Sequence, residues 1–221
     1  MNAAIGRLMQ RSLRKVERPI LWIIAGPNGS GKSTLYNRTD IEDWGGSVWI
    51  VNPDLLTARL QTVEKLALDV ANAAALDRIQ RWLDASIEVH QTIGVETVLS
   101  TSKYRALIET ARGKGFEIRM LYVVLDSADL QLSRIQIRVV EGGHDVPKEK
   151  VIDRRRRSFG QLALFAKHLD RLMIFNNSTG APSLAAYKRF KQPLQLLEQL
   201  PIDLMAALVA GQVAMEERAS D

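Results

Sequence analysis

PILWIIAGPNGSGKST, running from Pro19 to Thr34, is the stretch whose reading decides the fold. Its first half is apolar, β-branched and closed by glycine, which reads as a buried strand. Its second half satisfies G-x-x-x-x-G-K-[ST] with Gly26, Gly31, Lys32 and Ser33, and a helix is expected to open there. Such a loop grips phosphate. Gly26, Pro27, Asn28, Gly29, Ser30 and Gly31 would turn backbone N–H groups toward the anion, with no Cβ in the way at the glycines. The helix start adds its positive end, Lys32 would reach the β- and γ-phosphates, and the Ser33 hydroxyl, with Thr34 beside it, would ligate Mg²⁺. The bland alternative is a glycine-rich turn with a surface lysine; the strand before and the helix after favour the phosphate loop.

Working outward, four more runs read as strands: SVWIVN (Ser47–Asn52), VETVLS (Val95–Ser100), EIRMLYVVL (Glu117–Leu125) and RLMIFN (Arg171–Asn176). They are apolar on both faces and separated by helical stretches, the pattern of a parallel sheet covered on both sides. The fold class expected is α/β: a P-loop NTPase-type three-layer sandwich with a parallel five-stranded sheet, a helical lid and C-terminal helices. Thr62 to about His90 carries Leu66, Val70, Ala74, Ile79, Leu83 and Ile87 at helical spacing, as one long helix or two. Ala128, Leu132, Ile135 and Val139 form the stripe of another helix; Ile152, Phe159, Leu162, Ala166 and Leu169 that of the next. EGGHDVP (Glu141–Pro147) separates the two. From Leu184 onward the chain reads as helical, broken by Pro193 and Pro201. The expected organisation is a basic N-terminal helix over 1–18, a core over 19–180 with a lid at about 134–160, and C-terminal helices of the same domain over 181–221.

Composition narrows the chemistry. The 221 residues carry 30 Lys+Arg against 25 Asp+Glu, a formal charge of +5, and no cysteine. Disulfides, thiolate nucleophiles and cysteine metal sites are excluded. His90, His144 and His168 lie in three different segments without ligand spacing. No run of about 18 apolar residues is present to span a bilayer, and no apolar stretch follows the basic residues before Pro19, so a cytoplasmic protein is expected. Positive charge clusters at residues 7–18 and at Arg154–Arg157, which suits a phosphate-bearing small ligand as well as a polyanion.

Two carboxylates are candidates for the acceptor side. Asp54 follows the second strand in VNPDLL, at the carboxyl end of the sheet where ligands bind. It could take a proton from an attacking hydroxyl, or merely cap a helix. Glu96 lies inside the third strand, where a charge must be paired or ligated. It could hold Mg²⁺ through water, fix the acceptor hydroxyl, or pair with a structural arginine. Thr97, Ser100 and Thr101 are hydroxyls nearby. Asp126 ends the fourth strand and is explained equally by capping the Ala128 helix. The usual strand-end aspartate of motor ATPases is missing from the third strand, which favours a compact kinase.

Arg134 and Arg138 share one helical face, and Arg154 and Arg157 another. Folded together by Gly142-Gly143, they would form a mobile cover that excludes water and neutralises the γ-phosphoryl in transit. Arg155 and Arg156 read as solvated, with Arg155 near the apolar stripe. His144 reads as a local hydrogen-bonding residue in the turn.

AGPNGSGKST, NPD, ETVLS, GGHDVPKEKVIDRRRRSF and FNNS, in that order, resemble the zeta-toxin family of P-loop kinases, and in particular the compact bacterial branch with a GGHDVP segment. The resemblance covers about Pro19 to Ser178. It implies ATP- and Mg²⁺-dependent phosphorylation of a sugar hydroxyl on UDP-N-acetylglucosamine, and an antitoxin partner. It implies Lys32 and Ser33 for ATP and Mg²⁺, Asp54 as general base, Glu96 as an acceptor-binding acid with Thr97 and Ser100 beside it, and Arg138, Arg154 and Arg157 as lid arginines. The chain departs from the branch at Arg155, where an aromatic is usual, and at Asn176, where aspartate is usual. Two other readings stay open: a kinase of another small metabolite, and a nucleotide-gated nucleic-acid-binding protein. The latter lacks a recognised nucleic-acid module and interleaved aromatics.

Overall fold

The computed structural model describes residues 18–38, 48–140 and 146–217. The basic helix expected over 1–18, apart from Arg18, and the turn carrying Gly142, Gly143 and His144 lie outside the described residues. The elements, in chain order, are β1 (Ile20–Ala25), α1 (Lys32–Arg38), β2 (Ile50–Val51), α2 (Pro53–Val63), α3 (Leu68–Glu88), β3 (Ile93–Thr97), α4 (Arg105–Gly113), β4 (Glu117–Val124), α5 (Ala128–Val140), α6 (Lys148–Ala166), β5 (Arg171–Asn176), β6 (Ser183–Arg189), β7 (Leu194–Leu196), α7 (Ile202–Ala210) and β8 (Met215–Glu217).

One sheet runs in the order β2-β3-β1-β4-β5-β6-β7-β8. The first five strands are parallel, as the apolar runs predict. Alternation along β1 sets the layers. Leu21, Ile23 and Ala25 join the large core with α3, α4, α6 and α7. Trp22 and Ile24 face the other side, where Tyr36 of α1 packs with Leu121, Met173 and Phe175. Each of these fully buried aliphatic side chains contributes about 1.5–3 kcal/mol, so register is set firmly where both faces are covered.

Two expectations are corrected. The sheet has eight strands, because the segment after Ser178 is mostly strand: β6 lies antiparallel on β5, β7 antiparallel on β6, and β8 parallel to β7. Helix-favouring Ala185, Ala186 and Leu194 are fully buried there. Pairing on the open edge of β5 overrides local propensity. Among the described residues of that region, α7 alone is an α-helix. The second strand shrinks to two residues, and its helix starts at once with Pro53 at the first position. Of the alternatives left open for Thr62–His90, the structure takes two helices: the end of α2, then α3, with Glu64–Ala67 between them.

The stripe expected on α6 is its buried face at Phe159, Leu162 and Ala166; it departs only at its first member, where Ile152 is exposed and Val151 buried. Val151, Arg155, Ser158, Phe159 and Leu162 share that face, so Arg155, expected in solvent beside the stripe, lies within it.

Candidate active site

The phosphate loop is built where the first strand ends, and its glycines are required by neighbours as well as by φ. Gly26 has φ +143°, and a Cβ there would fall 2.2 Å from the Val123 carbonyl oxygen of β4. Gly31 has φ +91°, and its Cβ would meet Asn177 Nδ2 at 2.2 Å. That same amide donates to the Ser30 carbonyl at 2.9 Å, so the FNNS segment after β5 backs the loop. Asn177 was not legible as a site residue; only its place after a strand end hinted at it.

Lys32 is 7% exposed and donates to the carbonyls of Gly26 at 2.9 Å and Pro27 at 3.2 Å. Its ammonium also lies 3.9 Å from Glu96 Oε1. Burial pushes its pKa below the usual lysine value; Glu96 and Asp54 oppose the shift, and Arg138 adds to it. Lys32, Glu96, Asp54 and Arg138 therefore share one electrostatic field at the carboxyl ends of the strands.

Among the described residues, Glu96 pairs with no arginine. Its Oε2 accepts from Ser33 Oγ at 2.9 Å, Tyr36 OH at 3.0 Å and Asn52 Nδ2 at 2.8 Å. Tyr36 and Asn52 are participants the sequence reading missed. Burial, with Glu96 beside it, pushes the Tyr36 phenol upward.

The cap of α2 is Asn52, whose Oδ1 accepts from the N–H groups of Asp54 and Leu55 at 2.9 and 3.2 Å. Asp54 is exposed, and its carboxylate has no hydrogen-bond or ion-pair partner among the described residues. The capping alternative for Asp54 thus falls to Asn52. Asp126 does not cap either: Ser127 Oγ accepts from Leu130 N at 3.1 Å, and Asp126 Oδ1 instead accepts from Asn176 Nδ2 at 2.7 Å.

The hydroxyls after β3 divide. Thr97 Oγ1 accepts from Leu99 N at 3.0 Å and shapes the turn. Ser100 lines a groove with Arg157, Arg156, Gln161 and Leu164. Thr101 is exposed.

The arginines split as well. Arg134 donates to the carbonyls of Asn177 at 2.7 Å and Ser178 at 3.1 Å, a structural clamp behind the phosphate loop. Arg138 is exposed on the last turn of α5, and Arg154 is half-buried on α6. Arg157 pairs with Asp153 at 2.9 Å on its own helix. Arg155, expected in solvent, is 2% exposed. It makes a two-pronged contact with Asp203 at 2.6 and 3.0 Å and donates to the Leu125 carbonyl at 2.9 Å. Its guanidinium also lies 4.6 Å from the Phe159 ring centroid. Ser158, one turn on, donates to the Val98 carbonyl at 2.6 Å and contacts Tyr122 OH at 2.7 Å.

This is a P-loop nucleotide-binding α/β fold with its site at the carboxyl ends of the parallel strands. The chain belongs to the AAA domain family, which it matches over residues 21–162. An uncharacterized protein of Haemophilus influenzae is 25% identical over 144 residues, covering 61% of this chain and 96% of that one. Among solved structures, the PezAT toxin–antitoxin system of Streptococcus pneumoniae shares the fold with a TM-score of 0.56 and 17% identity, over 79% of this chain and 75% of that one. AvrRxo1-ORF1:-ORF2 with ATP shares it with a TM-score of 0.63 and 16% identity, over 89% of this chain and 65% of that one. Among the described residues, no helix is long and apolar enough to cross a membrane.

Proposed function

We propose that this protein is an ATP-dependent kinase that phosphorylates a hydroxyl of a UDP-activated amino sugar, UDP-N-acetylglucosamine, and that it is the toxin of a toxin–antitoxin pair. The observation that carries the kinase chemistry is the carboxylate of Asp54: exposed, unspent on capping, and felt by the phosphate-loop lysine. The family resemblance supplies the sugar, and the toxin–antitoxin system among the structural neighbours supports a protein partner.

The residues divide the work. The amides of Gly26 to Gly31 cradle the phosphates; the spaces that a Cβ would fill at Gly26 and Gly31 fit that role. Lys32 exchanges its loop carbonyls for β- and γ-phosphate oxygens. Ser33 Oγ would hold Mg²⁺, with Glu96 behind it to orient the hydroxyl and the water shell. Bound there, the ion would offset negative charge on the phosphates. Asp54 accepts the proton of the acceptor hydroxyl as its oxygen bonds to the γ-phosphorus, and the bond from that phosphorus to the β-bridging oxygen breaks to release ADP. Arg138, Arg154 and Arg157 neutralise charge on the phosphoryl group in transit.

Asp54→Asn tests the reading. ATP affinity should stay within about twofold, while phosphorylated UDP-N-acetylglucosamine falls at least a hundredfold, the usual scale for loss of a general base. Normal product from this variant would remove Asp54 from the chemistry. Product on free sugars or nucleosides, with none on UDP-sugars, would replace the acceptor and keep the base.

A further inference from the structure

α7 is a surface helix built of core residues. Asp203 is its one polar side chain, and that carboxylate is taken by Arg155 at 2.6 and 3.0 Å. Leu204 and Leu208 are buried in the large core, as one face of a surface helix must be. The opposite face is apolar as well: Ile202, Met205, Ala206 and Val209 follow at i, i+3, i+4 and i+7. Ile202 is 84% exposed and Val209 61%. A helix that is hydrophobic all round belongs inside a protein or an assembly. Exposed apolar residues gathered on one face, rather than scattered singly, mark an interaction site.

Two grooves flank this helix, and they differ in sign. One, of about 570 Å³, is lined by Leu196, Leu197, Leu200 and Met205, with Glu198 and Glu217 at its rim. Neither glutamate has an ion pair among the described residues. The other, of about 420 Å³, is lined by Gly160, Ala163, Ala207 and Gly211, with Arg156 and Arg157 at its rim. Both guanidinium groups lean on the single carboxylate of Asp153, so positive charge is in excess there. A Cβ at Gly160 would meet nothing within 4 Å, so the basic groove is open at that point. Beneath it α6 and α7 meet closely: a Cβ at Gly211 would lie 2.6 Å from that of Ala163. With the Arg155–Asp203 contact, this close packing shapes the surface before anything binds, which lowers the cost of association.

We propose that this face is the contact of a symmetric homodimer. A two-fold axis through the α7 stripe, square to the line between the grooves, sets the acidic groove of each copy against the basic groove of the other. The stripes of the two copies then cover each other at the centre. An isologous contact requires such self-complementarity, with one patch supplying both halves of every interaction. A partner of a single charge sign would satisfy one groove and be opposed at the other, whereas a second copy satisfies both.

Sedimentation velocity of the full chain, from micromolar to submillimolar concentration, tests this. The protein should dimerise reversibly. Ile202→Glu and Val209→Glu should each weaken the dimer by about a hundredfold, because each would bury an unpaired carboxylate in both copies. Both side chains are exposed in the single protomer, so the urea midpoint measured at low concentration should not fall. Gly160→Phe fills the basic groove from its own helix and should weaken the dimer with no loss of fold. Arg156, which has no part in the proposed chemistry, tests the pairing of charge. Arg156→Glu and Glu198→Arg should each weaken the dimer by about tenfold, and the chain that carries both should recover it. A monomer at every concentration overturns the proposal and leaves the face to a different protein. A dimer untouched by Ile202→Glu and Val209→Glu is built on another surface and overturns it equally. Loss of the dimer in the single charge variants without recovery in the double variant overturns the two-fold pairing of the grooves.

Discussion

Ser33 Oγ donates to Glu96 Oε2 at 2.9 Å, across a gap of 63 positions in the chain. The pair joins the end of the phosphate loop to the neighbouring parallel strand. Under the proposed chemistry, an acid and a hydroxyl in this relation would order a metal ion together, whether or not an aspartate ends the strand. Tyr36 and Asn52 fill the remaining places on the same carboxylate oxygen, so Glu96 is held without an arginine.

Glu96→Gln should therefore raise the Mg²⁺ concentration needed for half-maximal turnover by about tenfold, the lower end for loss of an outer-shell partner. Metal-free nucleotide binding should change little. Titration of Mg²⁺ at saturating ATP measures this. An unchanged metal requirement with a raised acceptor KM would assign Glu96 to the acceptor instead.

Arg155 makes α6 a strut. Its contacts to Asp203 and Leu125, with those of Ser158 to Val98 and Tyr122, tie the middle of the helix to α7 and to the carboxyl ends of β3 and β4. Asp203→Ala should cost about 1–3 kcal/mol, because it leaves a buried guanidinium short of partners. Arg155→Met in the Asp203→Ala background should recover much of that loss, since a well-packed apolar replacement of a buried pair is often neutral. Urea unfolding of the two single variants and the double variant gives the coupling; additive losses would show that the pair does not act as one.

Tyr104 sets an alkaline limit. Burial pushes its phenol up to about 12, whereas an unfolded tyrosine ionises near pH 10. Its share of stability is intact below about pH 10 and falls as the pH rises toward 12, by about 3 kcal/mol in all. Tyr122, also raised by burial, adds to the same slope. Tyr104→Phe should flatten the decline of the urea midpoint between pH 9 and pH 11 by roughly a third, because the Tyr36 phenol is raised as well. An identical slope in the variant would mean that Tyr104 ionises in place.

Much of the site could be read from residue types alone, because its chemistry is local. The phosphate loop needs only a strand end, glycines and a lysine in succession, and Gly26 to Ser33 supply them in one stretch. Asp54 was legible from its place after a strand, but whether its carboxylate was spent as a cap depended on Asn52 two residues before it. Asn177 was illegible, because it is joined to the loop across 147 positions.

The sequence by itself determined the parallel core, the phosphate loop and the direction in which it faces, because these follow from apolar periodicity and from backbone freedom at glycine. Only the tertiary structure decided which partner Glu96 takes, that Arg155 is buried, and that Ser183–Arg189 is strand. A carboxylate, a guanidinium or an alanine-rich run has several solutions of similar local energy. Burial and an open sheet edge, supplied by residues far along the chain, choose among them.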